Sequence, residues 1–279
     1  GNKECIWNVQ FDVALDGGGN TGKSGGNFVM ERYFGTKWWG LKDADGVSNW
    51  LKDILGGRPI EQISVMDYAA TQIWQYKGDW DRDMRNSKYN MKRDYYWTNP
   101  ESRFYGQQMT EENLGDKSEL FRITQPTFMK VVTAKHHGQF FDSQSGEGHD
   151  NGRIYKDWYI MRLAETYLLR AEAYLLVGNK DAAAKDINAV RQRANATPVT
   201  AADVNLDLIL DERARELSME DFRINTLMRM NKLAEYLMKY NPKVIQAGYK
   251  LGNHLNKLPV PNSEIEANKE GGLIQNEGY

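Results

Sequence analysis

Seven of the eight tryptophans of this 279-residue chain lie within its first 97 residues, and two stretches have the composition of a sugar-binding surface. Sugars present patches of C–H bonds beside hydroxyl groups, so a site for them combines flat aromatic faces with amide or charged side chains. Residues 37–50 and 95–99 supply both kinds of group. The predicted ligand-binding residues are Trp38, Trp39, Asn49, Trp50, Tyr95, Tyr96 and Trp97.

The same aromatic residues could instead fill a hydrophobic core. Trp7 and Trp74 stand at positions that follow an apolar periodicity, and both are assigned to packing. For Trp38, Trp39 and Trp50 the sequence leaves both roles open, because aromatic residues in loops bind ligands in some proteins and anchor long loops in others. The exposure of each ring in the folded chain distinguishes the two roles.

Three glutamates lie four residues apart on one predicted helical face: Glu212, Glu216 and Glu220. Side chains at this spacing could meet the separation of about 5 Å that a retaining glycosidase needs. Three arginines are interleaved with them: Arg213, Arg215 and Arg223. Nearby guanidinium groups lower carboxylate pKa values, whereas a general acid needs a raised pKa. The pattern therefore predicts a structural ion-pair lattice, and no catalytic residue is predicted in this chain.

A glycine-rich stretch from Gly17 to Ser24 matches the phosphate-loop pattern G-x-x-x-x-G-K-S. That motif binds phosphate where a helix begins directly at its lysine and serine. Here Gly25 and Gly26 follow, and each glycine in a first helical turn costs about 1 kcal/mol relative to alanine. We therefore predict a flexible loop, and a nucleotide-binding enzyme is retained only as a third interpretation.

Histidines and carboxylates crowd residues 136–151, without the spacing of a known metal site. The zincin pattern H-E-x-x-H and the EF-hand loop pattern are both absent, so a solvated polar loop is predicted, with calcium as the candidate if an ion binds. No G-x-S-x-G motif occurs, and Cys5 stands in a predicted strand without a neighbouring histidine. We predict no cofactor.

Composition gives no support for a nucleic-acid-binding protein, a disulfide-stabilised protein or a membrane-spanning protein. The net charge of -2 gives no support for nucleic acid or an anionic membrane as a partner. A single cysteine cannot form an internal disulfide, so stability must come from packing. No stretch approaches the roughly 18 apolar residues of a membrane span, and Cys5 has no preceding apolar run of the kind found in a lipoprotein signal.

Residues 157–197 predict a helical hairpin of the tetratricopeptide type. The first helix has an apolar stripe at Ile160, Ala164, Tyr167, Leu168, Ala171, Tyr174 and Leu175. Gly178 suits the end of that helix, and Asp181 can cap the next, which buries Ala183, Ile187, Val190 and Ala194. One such hairpin cannot bury its own apolar face, so neighbouring helices are required.

Further elements follow from the same periodicities. We predict a strand over Cys5 to Val13, a helix from about Ile63 to Tyr76, and a helix over 206–217 capped by Asp203 or Asn205. Another helix is predicted over 222–237, ending before Pro242. The chain divides near residue 155 into a loop-rich aromatic region (1–155) and a helical region (156–279), which together form one compact domain.

Five motifs, in order along the chain, resemble the SusD/RagB family. They are the strand E-C-I-W-N-V-Q-F at 4–11, the turn at 78–82, the helix R-L-A-E-T-Y-L-L-R-A-E-A-Y at 162–174, the segment 209–223 and the closing motifs at 258–279. Two positions depart from the family pattern, Asp221 where glycine is usual and Glu277 in place of proline. The resemblance implies a mainly α fold: a SusD-like helical scaffold with the tetratricopeptide-type hairpin, long loops and a few short strands.

The resemblance also implies a function. Members of that family are non-enzymatic, lipid-anchored proteins of the outer-membrane surface that capture glycans and deliver them to a SusC-like TonB-dependent transporter. They are about twice as long, so this chain is expected to be their C-terminal region, with the lipid anchor in an N-terminal half outside it. Ligand residues vary among members, so none is transferred by motif. The alternative interpretation is a helical protein–protein interaction module in which the aromatic residues are core.

Overall fold

The computed structural model of the chain describes residues 3–12, 15–16, 18, 29–49, 59–131, 156–268 and 270–279. The chain divides into two compact units: residues 1–65 with 69–220, and residues 66–68 with 221–279. The boundary predicted near residue 155 falls among residues 132–155, which lie outside the described part, and it stays a prediction.

Helices dominate the described residues after 162, and the strands are few and short, as the mainly α prediction requires. The strands are β1 (Cys5–Val9), β2 (Met91–Lys92), β3 (Thr127–Phe128) and β4 (Trp158–Arg162). The helices are α1 (Met30–Tyr33), α2 (Asp67–Ala70), α3 (Leu120–Thr124), α4 (Leu163–Leu176), α5 (Lys180–Arg193), α6 (Leu206–Leu217), α7 (Arg223–Arg229), α8 (Leu233–Tyr240), α9 (Pro242–Ala247) and α10 (Asn262–Ala267). Among these elements, no helix has the length and apolar composition that crossing a membrane requires.

The hairpin of α4 and α5 confirms the tetratricopeptide-type prediction. Ala171 and Ala183 are fully buried where the two helices approach each other. Gly178 has a φ of 79°, the left-handed conformation expected after a helix end. The cap of α5 was predicted wrongly: the side chain of Asn179, not Asp181, accepts a hydrogen bond from the N–H of Ala182 at 3.1 Å.

The apolar face of this hairpin is covered by α6, which packs against both of its helices. Leu168, Ile187 and Ile209 contribute one fully buried side chain from each of the three helices. Burying each such side chain contributes about 1.5–3 kcal/mol. The N-terminus of α6 is capped by Asn205, whose side chain accepts from the N–H of Leu208 at 2.9 Å, so one of the two predicted caps is confirmed.

β1 and β4 pair as antiparallel strands, and this sheet corrects two predictions. Ile160 lies in β4 rather than on the buried stripe of α4. Trp7, predicted to pack, is 65% exposed. The ladder shifts register on both sides of Trp7, which removes this side chain from the regular alternation of the strand.

Two predicted helices are interrupted in the structure by residues with non-helical backbone angles. The helix expected from Ile63 to Tyr76 is instead the short α2 and a 3-10 helix over 72–78, separated by Thr71 with a φ of -134° and a ψ of -56°. The helix expected over 222–237 is divided into α7 and α8, with Asn231 at a φ of 55° between them. Left-handed residues cannot continue an α-helix. Pro242 begins α9 at its first turn, where proline is well tolerated.

Glu212 and Glu216 of α6 form the centre of an ion-pair lattice, as predicted, whereas Glu220 lies beyond the end of α6 at Leu217 and so does not share its helical face. Glu212 is fully buried, and its two carboxylate oxygens contact three guanidinium groups. The distances are 2.8 Å from Arg85 Nη1, 2.7 Å from Arg191 Nη1 and 2.9 Å from Arg215 Nη1. Of the interleaved arginines named above, Arg215 joins this lattice, whereas Arg213 pairs with Glu165 at 3.2 Å.

The other two glutamates meet cations from distant parts of the chain. Arg162 Nη2 lies 3.1 Å from Glu216 and 2.6 Å from Glu220. Lys130 Nζ lies 3.0 Å from Glu220. Glu216 also pairs with Arg193. Burial alone would raise the pKa of Glu216, but the cations around it, with Arg85 first, hold that pKa below its ordinary value.

The pKa of Glu212 is shifted in the direction opposite to the one that a general acid would need. Burial raises it, but the charges of Arg85, Arg215 and Arg191 overcome that effect and lower it to about 2. A general acid must hold its proton near neutral pH. Glu212 is therefore a structural anion, in agreement with the ion-pair prediction from the sequence.

We expect Glu212→Gln to lower the free energy of unfolding by about 3–5 kcal/mol, because three buried or half-buried guanidinium groups would lose their counter-charge. Urea unfolding followed by circular dichroism measures the change. The matched control is Glu235→Gln, which removes the surface partner of Lys232 and should cost less than about 1 kcal/mol. Equal effects of the two substitutions would contradict a central role for Glu212.

We also expect acid to destabilise the protein through Glu212. The pKa of Glu212 is about 2 in the folded chain and near 4.5 in the unfolded chain. The ionised carboxylate therefore makes its full contribution to the free energy of unfolding above the unfolded pKa, and this contribution is lost as the pH falls toward the folded pKa. The full contribution corresponds to about 3 kcal/mol. Unfolding free energies measured between about pH 6 and about pH 3 should fall more steeply for the native protein than for Glu212→Gln. If the unfolding free energies of the native protein and of Glu212→Gln fell equally with pH, Glu212 would not be the source of the acid destabilisation.

Candidate functional site

A β-hairpin over residues 95–109 holds most of the predicted aromatic stretch. Its backbone hydrogen bonds run from Met109 N to Tyr95 O at 2.8 Å, from Trp97 N to Gln107 O at 3.0 Å and from Gly106 N to Trp97 O at 2.8 Å. Neighbouring side chains of a strand point to opposite faces. The hairpin therefore divides the aromatic residues into an inward set and an outward set.

The inward set consists of Tyr95 and Trp97, which pack with Trp38 in a second hydrophobic core. Each of these three side chains is only 1% exposed. The indole N–H of Trp97 donates to Asn113 Oδ1 at 2.9 Å, and Lys92 Nζ lies 4.2 Å from the centre of the Trp38 ring. The prediction that Trp38, Tyr95 and Trp97 bind ligand is corrected, because neither face of these rings is open to a ligand.

Asn49 and Trp50 were also predicted to bind the ligand. Asn49 is buried, and its Oδ1 accepts from the N–H of Thr98 at 2.8 Å and from the hydroxyl of Thr98 at 3.1 Å. Asn49 therefore joins the loop before it to the hairpin, and its acceptor atom is already used within the protein. Trp50 lies outside the described residues.

Trp39 is half-buried at the edge of the second core, and its ring is fixed from two directions. Its indole N–H donates to the carbonyl of Pro59 at 2.8 Å. Lys37 Nζ lies 5.1 Å from the centre of the ring, within reach of a cation–π interaction. Trp39 therefore retains part of a ring surface in a defined orientation.

The outward side of the hairpin forms what we call the Tyr96 face, made of Asp94, Tyr96 and Gln108. Tyr96 is 45% exposed and lies opposite Gln108 in the ladder, and Tyr105 at the hairpin turn is 59% exposed. Gln108 Nε2 donates to Asp94 Oδ1 at 3.0 Å. The face therefore presents an aromatic ring beside an amide and a carboxylate that hold each other in place.

Two residues of this face were missed from the sequence: Asp94 and Gln108. No strand was predicted over residues 95–99, so their period of two was not used. With Tyr95 and Trp97 assigned to one side of a strand, Tyr96 and Asp94 fall on the other side together. The pairing that brings Gln108 opposite Tyr96 depends on the turn at 99–106, which the sequence pattern alone does not define.

A cleft of about 410 Å³ lies beside the ion-pair lattice and is the main alternative location for a site. Its lining includes Arg162, Glu216 and Glu220, whose charges are already paired with one another. Lys130 and Lys156 also line it, and the residues between them, 132–155, lie outside the described part of the chain. The described walls carry six cationic side chains and four carboxylates, and each of these ten side chains takes part in ion pairs or hydrogen bonds within the protein.

The two remaining motifs from the sequence cannot be located in the structure. The phosphate-loop match falls among residues 17–24, of which only residue 18 is described, and the polar loop at 136–151 lies wholly outside the described residues. Within the part of the chain that is described, no three histidine, cysteine or carboxylate side chains come together as metal ligands would. Both motifs stay predictions.

Comparison with known proteins supports the architecture. No curated protein matches the chain at a significant level. Among solved structures, the chain is similar to a laminarin-binding SusD-like protein, with 20% identity and a TM-score of 0.56 over 100% of this chain and 50% of that one. It is also similar to surface glycan-binding protein A from Bacteroides thetaiotaomicron in complex with laminarihexaose, with 20% identity and a TM-score of 0.57 over 98% of this chain and 52% of that one.

A third structure, surface glycan-binding protein A from Bacteroides uniformis, has 16% identity and a TM-score of 0.56 over 99% of this chain and 49% of its own. The chain thus spans about half the length of the solved structures that it matches, and at these identities the likeness shows the fold alone. The family evidence is more extensive, because the SusD family model matches residues 3–279. This chain belongs to the SusD family.

Proposed function

We propose that this chain is a non-enzymatic glycan-binding component of an outer-membrane carbohydrate uptake system. The observation that carries the proposal is the Tyr96 face, where an exposed ring stands beside the hydrogen-bonded pair of Gln108 and Asp94. Membership of the SusD family supports it, as do the two related structures described as binding laminarin or laminarihexaose. The ligand is an oligosaccharide or a polysaccharide.

The chemistry of the Tyr96 face suits a sugar better than an apolar ligand. A tyrosine ring offers a flat apolar surface with a polar hydroxyl at its edge. The amide of Gln108 and the carboxylate of Asp94 provide further donors and acceptors for sugar hydroxyl groups. Trp39 is the second residue that we retain from the sequence prediction, since it keeps part of its ring surface and a fixed orientation.

The location and the transporter partner are proposals that rest on the family. We propose that the full-length protein is lipid-anchored at the outer-membrane surface and passes glycan to a SusC-like TonB-dependent transporter. Co-purification of the full-length protein with the transporter from native membranes tests this step separately from glycan binding. Recovery of the protein without any transporter would contradict it.

A helical interaction module remains the alternative function, and one observation favours it. Leu176 and Val177, at the end of α4 in the hairpin, are strongly exposed. Exposed aliphatic side chains at the end of a tetratricopeptide-type hairpin could bind another helix or peptide. In that case a protein partner would be captured without any effect of sugar.

Tyr96→Ala should weaken glycan binding by roughly fivefold or more, because it removes the exposed ring and an aromatic contact contributes on the order of 1 kcal/mol. Affinity electrophoresis through gels containing neutral plant, host and microbial polysaccharides measures the retardation. Tyr89→Ala is the matched control, since Tyr89 is 76% exposed and lies outside the Tyr96 face.

Three results separate the possibilities. Retardation that Tyr96→Ala loses and Tyr89→Ala keeps supports the site. If Tyr96→Ala and Tyr89→Ala are both still retarded but Trp39→Ala is not, the binding site lies at Trp39 and not at the Tyr96 face. No retardation of the native protein by any polysaccharide, together with sugar-independent capture of a protein by the hairpin, would favour the interaction module.

A further inference from the structure

The segment over residues 59–63 supports Trp39, the second residue of the proposed binding surface. The indole N–H of Trp39 donates to the carbonyl of Pro59 at 2.8 Å. At the other end of the segment, the N–H of Ile63 donates to the carbonyl of Tyr33 at 3.0 Å. The direction of the Trp39 ring is therefore tied to the position of this segment.

Glu61, in the middle of this segment, has a backbone conformation that costs free energy. Its φ is 58°, in the left-handed region that residues other than glycine rarely adopt. Such a conformation persists only where the surrounding structure determines it, and strained residues of this kind cluster at functional sites. The surroundings of Glu61 must therefore compensate for the strain.

The carboxylate of Glu61 is buried and only loosely paired. Its side chain is 10% exposed, and Arg122 of α3 places its Nε 3.4 Å from Glu61 Oε2. The same Nε lies 3.6 Å from Glu119, so Arg122 is shared between two carboxylates. Among the described residues, neither carboxylate oxygen of Glu61 has a hydrogen bond of normal geometry. A buried charge with so few partners destabilises the folded chain.

Burial raises the pKa of Glu61 above its ordinary value of 4.5. The charge of Arg122 opposes this rise, followed by the backbone N–H of Lys37, whereas the charge of Glu119 adds to it. Tyr95 is the other titratable side chain that interacts with Glu61. The ionised carboxylate therefore lowers the stability of the folded chain above its folded pKa, and this loss disappears as the pH falls below the unfolded value.

We propose that the ionised carboxylate of Glu61 is a positioning group for Trp39. The attraction of Glu61 for the N–H of Lys37, and the hydrogen bond from Trp39 to Pro59, join the same two segments at two points. A ring whose direction is fixed in this way loses less conformational freedom when it binds a sugar. The ionised form thus favours binding while it lowers stability. This inference rests on the proposed glycan-binding function, in which Trp39 is the second binding residue.

Fluorine NMR of the protein labelled with 5-fluorotryptophan tests the positioning without a ligand. The Trp39 resonance is identified by its loss in Trp39→Phe. We expect Glu61→Gln to shift or broaden this resonance, because the ring loses one of its two supports. Glu119→Gln is the matched control, since it removes a carboxylate from the same guanidinium and should leave the resonance unchanged. An unchanged Trp39 resonance in Glu61→Gln, or equal changes in both variants, would overturn the inference.

Stability and binding should respond to Glu61→Gln in opposite directions. The substitution should raise the midpoint of thermal unfolding by a few degrees at about pH 7, and the difference should vanish as the pH falls below 4.5. At the same neutral pH it should weaken retardation severalfold in gels containing laminarin, starch, xyloglucan or galactomannan. Acid should weaken the retardation of the native protein more than that of Glu61→Gln. A residue with a purely structural role would lose stability and binding together.

The two proposals can fail separately. If one of these polysaccharides retards the native protein, Trp39→Ala and Glu61→Gln equally, glycan binding stands at another surface and the inference is overturned. If Glu61→Gln lowers both the unfolding midpoint and the retardation, Glu61 is a structural residue and the inference is again overturned. If no polysaccharide retards the native protein, the proposed function is overturned, and the role of Glu61 in binding with it.

Discussion

The buried carboxylate of Glu212 is the constraint on which the first unit depends. Its three guanidinium partners come from three separate segments of the chain, Arg85, Arg191 and Arg215. A buried charge is tolerated only when its partners are all in place. The lattice extends further, because Arg191 also reaches Asp79 at 2.5 Å, and Asp79 accepts from the N–H of Thr197 at 2.9 Å. The segment 79–86 is therefore fixed against the helices by charge as much as by apolar packing.

A short path of hydrogen bonds joins this lattice to the hairpin that displays Tyr96. Asn86, next to Arg85, accepts through its Oδ1 from Arg93 Nη2 at 2.6 Å. Arg93 also donates to the carbonyl of Ala70 at 2.7 Å, and Asp94 follows it at the start of the Tyr96 face. On the inward side, the core around Tyr95 holds the same strand. The outward residues thus stand on a strand that is held from two directions, which is the arrangement a binding site needs for defined geometry.

Elements that depend on local interactions could be predicted from the sequence, whereas elements that depend on residues distant in the chain could not. The hairpin of α4 and α5 and the cap at Asn205 follow from periodicity and short-range hydrogen bonding, so they could be predicted. The interruptions of the predicted helices at Thr71 and Asn231 could not, because the backbone angles of single residues depend on tertiary contacts that helix propensity does not include. Arg85 was likewise missed as a partner of Glu212, since nothing near α6 indicates it.

In the candidate site, the sequence likewise did not predict which aromatic side chains are exposed. Tyr95, Tyr96 and Trp97 are consecutive aromatic residues with similar composition, yet two are core and one is exposed. Only the pairing of the hairpin separates them, and it also brings Gln108 to Asp94 before any ligand arrives. A side chain that is already held pays less conformational entropy when it binds, about 0.5–1.5 kcal/mol for each one immobilised beforehand. In the proposed site, the buried rings therefore act indirectly, because they fix the strand on which Tyr96 and its polar neighbours are presented.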